Sequence, residues 1–233
     1  MIDLGRRDGR LLRIGHRGAG ALAPENSLEA IAVAVELGCD LVEFDVHAVG
    51  NELFVVHDLP RTVRQLPSLD DVLEFLRGTG AGVHLDLKAR GAEPAVAAAL
   101  RQHGLVDRTV VSSFRAATLR ALNAVEPALR LGKTYPQDRT GLTKRPIFHP
   151  PARMVVKALK RALPHRIGPL LRSARATAAV LYWEVLTPAV VARCHALGAP
   201  VLAWTVDDPE LVPWLDGLGV DGVVTNDPRI FGG

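Results

Sequence analysis

The sequence predicts an α/β fold, a (β/α)8 TIM barrel in one domain over residues 1–233. Three observations point there. Short β-rich runs alternate with helical patterns along the chain, which implies a parallel sheet. Eight principal strands can be counted with helices between them, and eight such units in roughly 230 residues suit a barrel better than an open sheet. Finally, the polar residues capable of chemistry recur at the C-terminal ends of those strands, the barrel end where active sites are built. An open doubly wound sheet is the alternative. No GxGxxG follows a strand, which weakens its dinucleotide-binding version.

The elements follow in order. Leu11–His16 is an apolar run ending in Arg17-Gly18, a strand entering a loop. Asn26–Leu37 places Leu28, Ile31, Ala32 and Val35 at helical spacing, with Asn26 or Ser27 as the cap and Glu29 in the first turn. Leu41–Val49 is a strand, and Leu53–His57 a short arm paired with it across Gly50-Asn51. Ser68–Arg77 reads as a helix in which Ser68 and Asp71 approach a capping box. Strands follow at Val83–Lys88, Thr109–Phe114, Leu129–Tyr135, Ala178–Trp183, Val201–Val206 and Gly222–Thr225. Helices are expected at Glu93–His103, Ala116–Val125, Pro188–Leu197 and Pro209–Leu218.

Composition narrows the class. With 48% hydrophobic and 23% charged residues, the chain can bury a sizeable core. No apolar stretch reaches the roughly 18–20 residues that span a bilayer. Met1–Arg13 is charged and unlike a secretory signal, so a cytoplasmic location is expected. Cys39 and Cys194 make no disulfide framework and read as small buried residues. The net charge of +3 hides an asymmetry: Lys133–Arg175 carries eleven Lys/Arg against one acid, +10, leaving −7 elsewhere. A local basic block of this kind fits an anionic surface or substrate rather than a nucleic-acid-binding protein.

Chemistry concentrates at the strand ends. Glu43 and Asp45 lie one residue apart on a strand, so both side chains face one way. Two carboxylates aimed together repel unless a cation or proton intervenes. Asp86 on the next strand adds a third, and an all-oxygen set suits Mg²⁺ or Ca²⁺ rather than zinc. His16 and His57 end apolar runs on either side of this trio, and two histidines there fit general acid–base phosphodiester chemistry. Arg17 and Lys88 are candidate phosphate contacts or, equally, structural partners of the carboxylates. Glu25 precedes a helix at the same mouth, as a ligand contact or simply as helix N-terminal charge. His47 shares the parity of Glu43 and Asp45 and reads first as a hydrogen-bonded rim histidine. Tyr182, Trp183 and Trp204 form either an aromatic wall for a cationic head group or mouth packing.

Taken together, the ordered pieces Gly15-His16-Arg17-Gly18, Ala23-Pro24-Glu25-Asn26-Ser27, Val42-Glu43-Phe44-Asp45-Val46, Val55-Val56-His57-Asp58, Leu85-Asp86-Leu87-Lys88, Ser112-Ser113-Phe114, Ala203-Trp204-Thr205-Val206 and Val220–Pro228 resemble the glycerophosphodiester phosphodiesterase family. They cover nearly the whole chain; each is weak alone and the ordered set is specific. The resemblance implies a TIM barrel, a Ca²⁺ or Mg²⁺ ion, and release of glycerol 3-phosphate and an alcohol. It implies His16 and His57 as the acid–base pair, Glu43 and Asp45 as metal ligands, and Arg17 and Lys88 as phosphate contacts. Asp86, Glu25 and Trp204, placed by their own positions in the sequence, complete the expected site. The chain departs from the family pattern in three places. Asp86 stands where the family usually has Glu. The small subdomain usually inserted after His57-Asp58 is missing or strongly shortened, which implies a more open mouth. Ala48-Val49-Gly50-Asn51 replaces the usual Thr-x-Asp-Gly turn.

Within the basic segment, about residues 136–176, Ala152–Leu163 is expected to be an amphipathic helix ended by Pro164. Val155, Val156, Leu159 and Leu163 lie on one face, and Arg153, Lys157, Lys160 and Arg161 on another. This basic face is either solvated or a peripheral contact with an anionic membrane, which would suit a lysophospholipid substrate. Beside hydrolysis stand two other readings: a phospholipase-D-like lyase releasing a cyclic phosphate, and a non-catalytic phosphoester- or lipid-binding barrel.

Overall fold

A computed structural model describes residues 1–60, 62, 65–137 and 149–232, with backbone alone for residues 149–153 and 155. Residues 138–148 of the basic segment, and with them Arg139, Lys144 and Arg145, lie outside the described residues.

Eight parallel strands close into a barrel: β1 (Leu12–Gly15), β2 (Leu41–Val49), β4 (Gly82–Leu87), β5 (Thr109–Ser113), β6 (Arg130–Tyr135), β7 (Ala178–Tyr182), β8 (Val201–Trp204) and β9 (Gly222–Thr225). Closure comes from β1, which pairs with β9 (Leu12↔Gly222) on one side and β2 (Ile14↔Leu41) on the other. The arm β3 (Glu52–Val55) folds back antiparallel on β2 through Gly50, whose φ of +61° favours glycine.

Inside the barrel Leu12, Ile14, Leu41, Val110, Ala178, Val180, Leu202 and Val224 fill the lower part. The N-terminal segment closes the bottom by inserting Leu4, fully buried. Arg7 and Arg10 clasp Asp40 there, with Nη1 of each 2.7 Å from its carboxylate. Burying the strands on both faces explains why their sequences run almost continuously apolar.

The helices are α1 (Leu28–Glu36), α2 (Leu69–Arg77), α3 (Glu93–Gln102), α4 (Ala116–Val125), α5 (His149–Ala174), α6 (Pro188–His195) and α7 (Leu211–Leu218). Ser27 caps α1, its hydroxyl accepting from the Ala30 N–H at 3.0 Å, so Asn26 is free for another role. Ser68 and Asp71 complete a true capping box on α2.

The expected stop at Pro164 does not occur. The helix α5 continues through Pro164 and Pro169 to Ala174. Each proline removes one backbone hydrogen bond. Burial of Leu163, Ile167 and Leu171 against the β7–α6 side of the barrel holds the helix on course. Several strands are also shorter than expected at their C-terminal ends: Trp183 begins a 3-10 turn (Trp183–Val185), and β8 stops at Trp204. No helix among the described residues is long and apolar enough to cross a membrane.

Candidate active site

The upper, C-terminal end of the barrel interior holds Glu43, Asp45 and Asp86, all buried. The register explains the convergence, since Asp45 lies directly opposite Asp86 on the neighbouring strand and Glu43 is two residues down the same face. One carboxylate oxygen from each lies within 4.8 Å of the others. The trio is electrostatically short of positive charge. Burial, then repulsion from Asp45 and Asp86, pushes the Glu43 carboxyl well above its ordinary range. Burial also opposes ionisation of Asp45, but the His57 hydrogen bond, Lys88 and Arg17 outweigh it and hold Asp45 ionised. A set of three hard oxygens, one with no cationic side chain in direct contact, fits a divalent ion of the Mg²⁺ or Ca²⁺ type.

Two imidazoles flank the trio. His57 Nδ1 is 3.0 Å from Asp45 Oδ2, and a carboxylate oxygen only accepts, so Nδ1–H donates. His16 closes β1 from the other side, with Nε2 3.8 Å from Glu43 Oε2 and Nδ1 2.7 Å from Asn226 Oδ1. Burial, then the nearby Arg17 charge, lowers the His16 pKa, so the ring is neutral at neutral pH.

The loop between them has a steric logic. Gly18 adopts φ +82°, and a Cβ there would lie 2.4 Å from the Ala30 carbonyl carbon, so only glycine lets α1 pack this close. Arg17 also turns left-handed, φ +52°, which aims its backbone N–H at Glu43 Oε2, 2.9 Å away.

Cations cross-link the cluster. Arg17 Nη1 bonds Glu25 at 2.6 Å and its Nε lies 3.3 Å from Asp45. Lys88 Nζ contacts Asp45 Oδ1 at 2.9 Å and makes a very short contact to Asp86. The Lys88 ammonium loses solvation by burial but stays charged, because Asp86 and Asp45 raise its pKa more than burial lowers it. Its Nζ also sits over the Phe114 ring at 5.6 Å. Trp204 is half-buried: its indole N–H donates to the Val180 carbonyl at 3.1 Å, and its ring meets Phe114 edge-on and Tyr182 at a tilt. His47 bonds the His57 carbonyl at 3.0 Å and so braces the arm that carries His57. A groove of about 260 Å³ opens beside His57, lined by Glu25, Asn26, Val56, Asp58 and Pro67 among others.

The glycerophosphoryl diester phosphodiesterase family model matches residues 16–77 and 65–230. The chain belongs to that family.

Its relatives span it nearly end to end. The glycerophosphodiester phosphodiesterase of Caldanaerobacter subterraneus is 25% identical over 94% of this chain and 96% of its own length. A probable glycerophosphodiester phosphodiesterase 2 of Mycobacterium tuberculosis is 27% identical over 94% of this chain and 89% of its own. Among solved structures, a putative glycerophosphoryl diester phosphodiesterase from Silicibacter pomeroyi superposes with TM-score 0.78 at 25% identity, covering 97% of this chain and 93% of that one. A phosphodiesterase from Oleispira antarctica, solved with the product sn-glycerol-3-phosphate, gives TM-score 0.74 at 23% identity, covering 94% of each chain.

Within this phosphodiesterase barrel, several site residues carry no spacing signal of their own. Asn26, left-handed at φ +59°, grips Asp45 twice: its Oδ1 accepts from the Asp45 N–H at 3.0 Å and its Nδ2 donates to Oδ2 at 3.1 Å. Asn226 is oriented by Asp207, whose carboxylate takes both the Asn226 backbone N–H and Nδ2–H at 2.8 Å. That requires the Asn226 carbonyl oxygen to face His16. Ser112 donates to Asp86 at 2.9 Å and contacts His84 Nε2 at 3.0 Å. His84 lies one layer below, fully buried, and burial pushes its pKa down to about 4. The polar motif Thr225-Asn226-Asp227 marks Asn226 in the sequence, but nothing there links it to Asp207.

Proposed function

We propose that the enzyme hydrolyses glycerophosphodiesters, and also lysophospholipids, to glycerol 3-phosphate or a lysophosphatidic acid plus an alcohol, acting in the cytoplasm and at an anionic membrane surface. Glu43, Asp45 and Asp86 would hold one Mg²⁺ or Ca²⁺ ion. Such an ion would supply Lewis-acid polarisation of the phosphoryl group. The observation that carries the reading is the placing of two imidazoles on opposite sides of a buried three-carboxylate cluster, each with its Nδ1 held by a hydrogen bond.

The proton roles follow from the hydrogen bonds. Asn226 Oδ1 accepts from His16 Nδ1–H, so the neutral His16 ring carries its lone pair on Nε2 and takes the proton from the attacking water. The new P–O bond forms as the P–O bond to the alcohol breaks. His57, anchored on Asp45 through Nδ1–H, gives its Nε2 proton to the departing oxygen. Arg17 and Lys88 offset the negative charge on the phosphoryl oxygens, Glu25 fixes the Arg17 guanidinium, and Trp204 walls the mouth. The groove beside His57 gives the departing alcohol room. The Oleispira relative, solved with sn-glycerol-3-phosphate, supports this product.

The test varies the leaving group. With an alkyl alcohol, His16→Ala and His57→Ala should each lower kcat by roughly 10²–10⁴-fold. With p-nitrophenolate, which leaves without a proton, His57→Ala should retain nearly full activity while His16→Ala should not. Equal losses on both substrates would refute the division of labour. Phosphorus NMR of the products separates hydrolysis from a lyase reaction, which would release a cyclic phosphate.

A further inference from the structure

The helix α5 is out of scale with its barrel. It has 26 residues, where the other barrel helices have 8 to 10. At 1.5 Å per residue it is about 39 Å long against about 12–15 Å for the rest. It leads from the end of β6 at the mouth back to the start of β7, so its N-terminal half is the mouth-side half. Its fully buried described side chains begin at Leu163 and continue through Ile167, Leu171 and Ala174. The turns before Leu163 are less embedded: Leu159 packs only at the edge of the barrel core, and Met154 is exposed.

Those turns carry charge of one sign. Residues 149–162 contain four Lys/Arg and no acid, and the whole helix six Lys/Arg and no acid. Lys157 and Arg161 are exposed on one face, with Arg166 exposed further along, and none of the three has an acidic partner among the described residues. Apolar side chains sit among them: Met154 is 74% exposed and Val156 is half-buried. Beside the helix the Trp183–Val185 turn packs against α5, and Trp183 meets the exposed Trp214 edge-on at 6.4 Å. Exposed tryptophan and methionine beside unpaired lysine and arginine are what the headgroup layer of an acidic bilayer accommodates.

We propose that the mouth-side half of α5, with Trp214, docks the enzyme on a bilayer containing anionic phospholipid, so that the barrel mouth faces the headgroups. The docking extends the lipid-substrate reading above and rests on it for its purpose. Binding is read without turnover, so the two fail separately.

The experiment is co-sedimentation of the full chain with vesicles of phosphatidylcholine alone and of phosphatidylcholine with phosphatidylglycerol. Binding to the anionic vesicles alone, released by added salt, is expected. Each basic residue near such a surface is worth about fivefold in partitioning, so Lys157→Ala/Arg161→Ala should bind on the order of 25-fold more weakly. The charge-preserving Lys157→Arg/Arg161→Lys should bind as the parent does. Hydrolysis of a water-soluble glycerophosphodiester by all three proteins should be equal, which shows that they fold alike. Equal binding to both vesicle types, no binding to either, or an unaffected double-alanine variant overturns the proposal. So does a duplex oligonucleotide that displaces the protein from anionic vesicles, since the face would then belong to nucleic acid.

Discussion

Replacing Asn226 with leucine removes the group that sets the His16 tautomer while leaving the imidazole in place. The amide cannot flip, because Asp207 accepts its Nδ2–H at 2.8 Å and so turns Oδ1 toward His16 Nδ1. In the variant the Nδ1–H loses its acceptor in a part-buried site. An unsatisfied buried donor costs about 1–3 kcal/mol, and the ring can escape that cost by moving its proton to Nε2 or by turning away. Either escape removes the proposed base. At about 1.4 kcal/mol per factor of ten, kcat should fall roughly 10- to 100-fold. KM should change little, since Asn226 is not among the groove-lining residues. The hydrogen bond that His16 donates to Asn226 also raises the His16 pKa against burial, so its loss lowers that pKa further. A base acts when deprotonated, so the acid limb of the kcat/KM profile should move to lower pH even as the plateau drops. The assay is a pH–rate profile on a glycerophosphodiester with alkyl leaving group, run for Asn226→Leu, His16→Ala and the double variant. The double variant should be no slower than His16→Ala alone, because both substitutions disable one unit. An unchanged plateau, a limb that moves upward, or losses that multiply in the double variant would refute the reasoning.

Two further predictions follow from residues around the site. His84 titrates at about 4 in the folded barrel and at about 6.5 when unfolded, so its folded-state pKa is depressed. Its contribution is then fully present above about pH 6.5 and is lost as pH falls toward 4; at about 1.4 kcal/mol per pH unit the whole amounts to roughly 3 kcal/mol. Urea unfolding of His84→Gln against the parent across that window should show the variant losing less stability on acidification, and parallel pH dependences would contradict this. Gly18→Ala combines φ +82° with a Cβ 2.4 Å from backbone of α1, so it should destabilise by at least about 2 kcal/mol and loosen the His16 loop, measured by thermal unfolding and by kcat on the same preparation.

The parts of this site that periodicity controls were readable in the sequence. Glu43 and Asp45 had to share a face, and Asp86 ended the next strand, so the trio could be placed before any fold was known. The eight strands and the capping box of α2 follow from equally local rules. What sequence could not supply is long-range pairing. Asp207 and Asn226 are 19 residues apart and meet only because β8 and β9 are neighbours, and Asn226 reaches His16 only because β9 closes the barrel against β1. Asn26 looked like a helix cap, which is a local rule, but the Ser27 hydroxyl took that place and Asn26 turned to Asp45. Pro164 carried a local stop signal that the buried contacts of Leu163 and Ile167 overrode.

The claim on which the chemistry depends is that Glu43, Asp45 and Asp86 act together as one metal site. Titration calorimetry of the chelator-treated protein with Mg²⁺ and Ca²⁺ tests it directly, with a crystal soaked in Mn²⁺ to locate the ion. One ion per chain is expected, between these three carboxylates, with binding abolished in Glu43→Gln and Asp86→Asn and activity restored to the parent on adding metal. Undiminished binding in those variants, an ion seated elsewhere, or full turnover in excess chelator would contradict it.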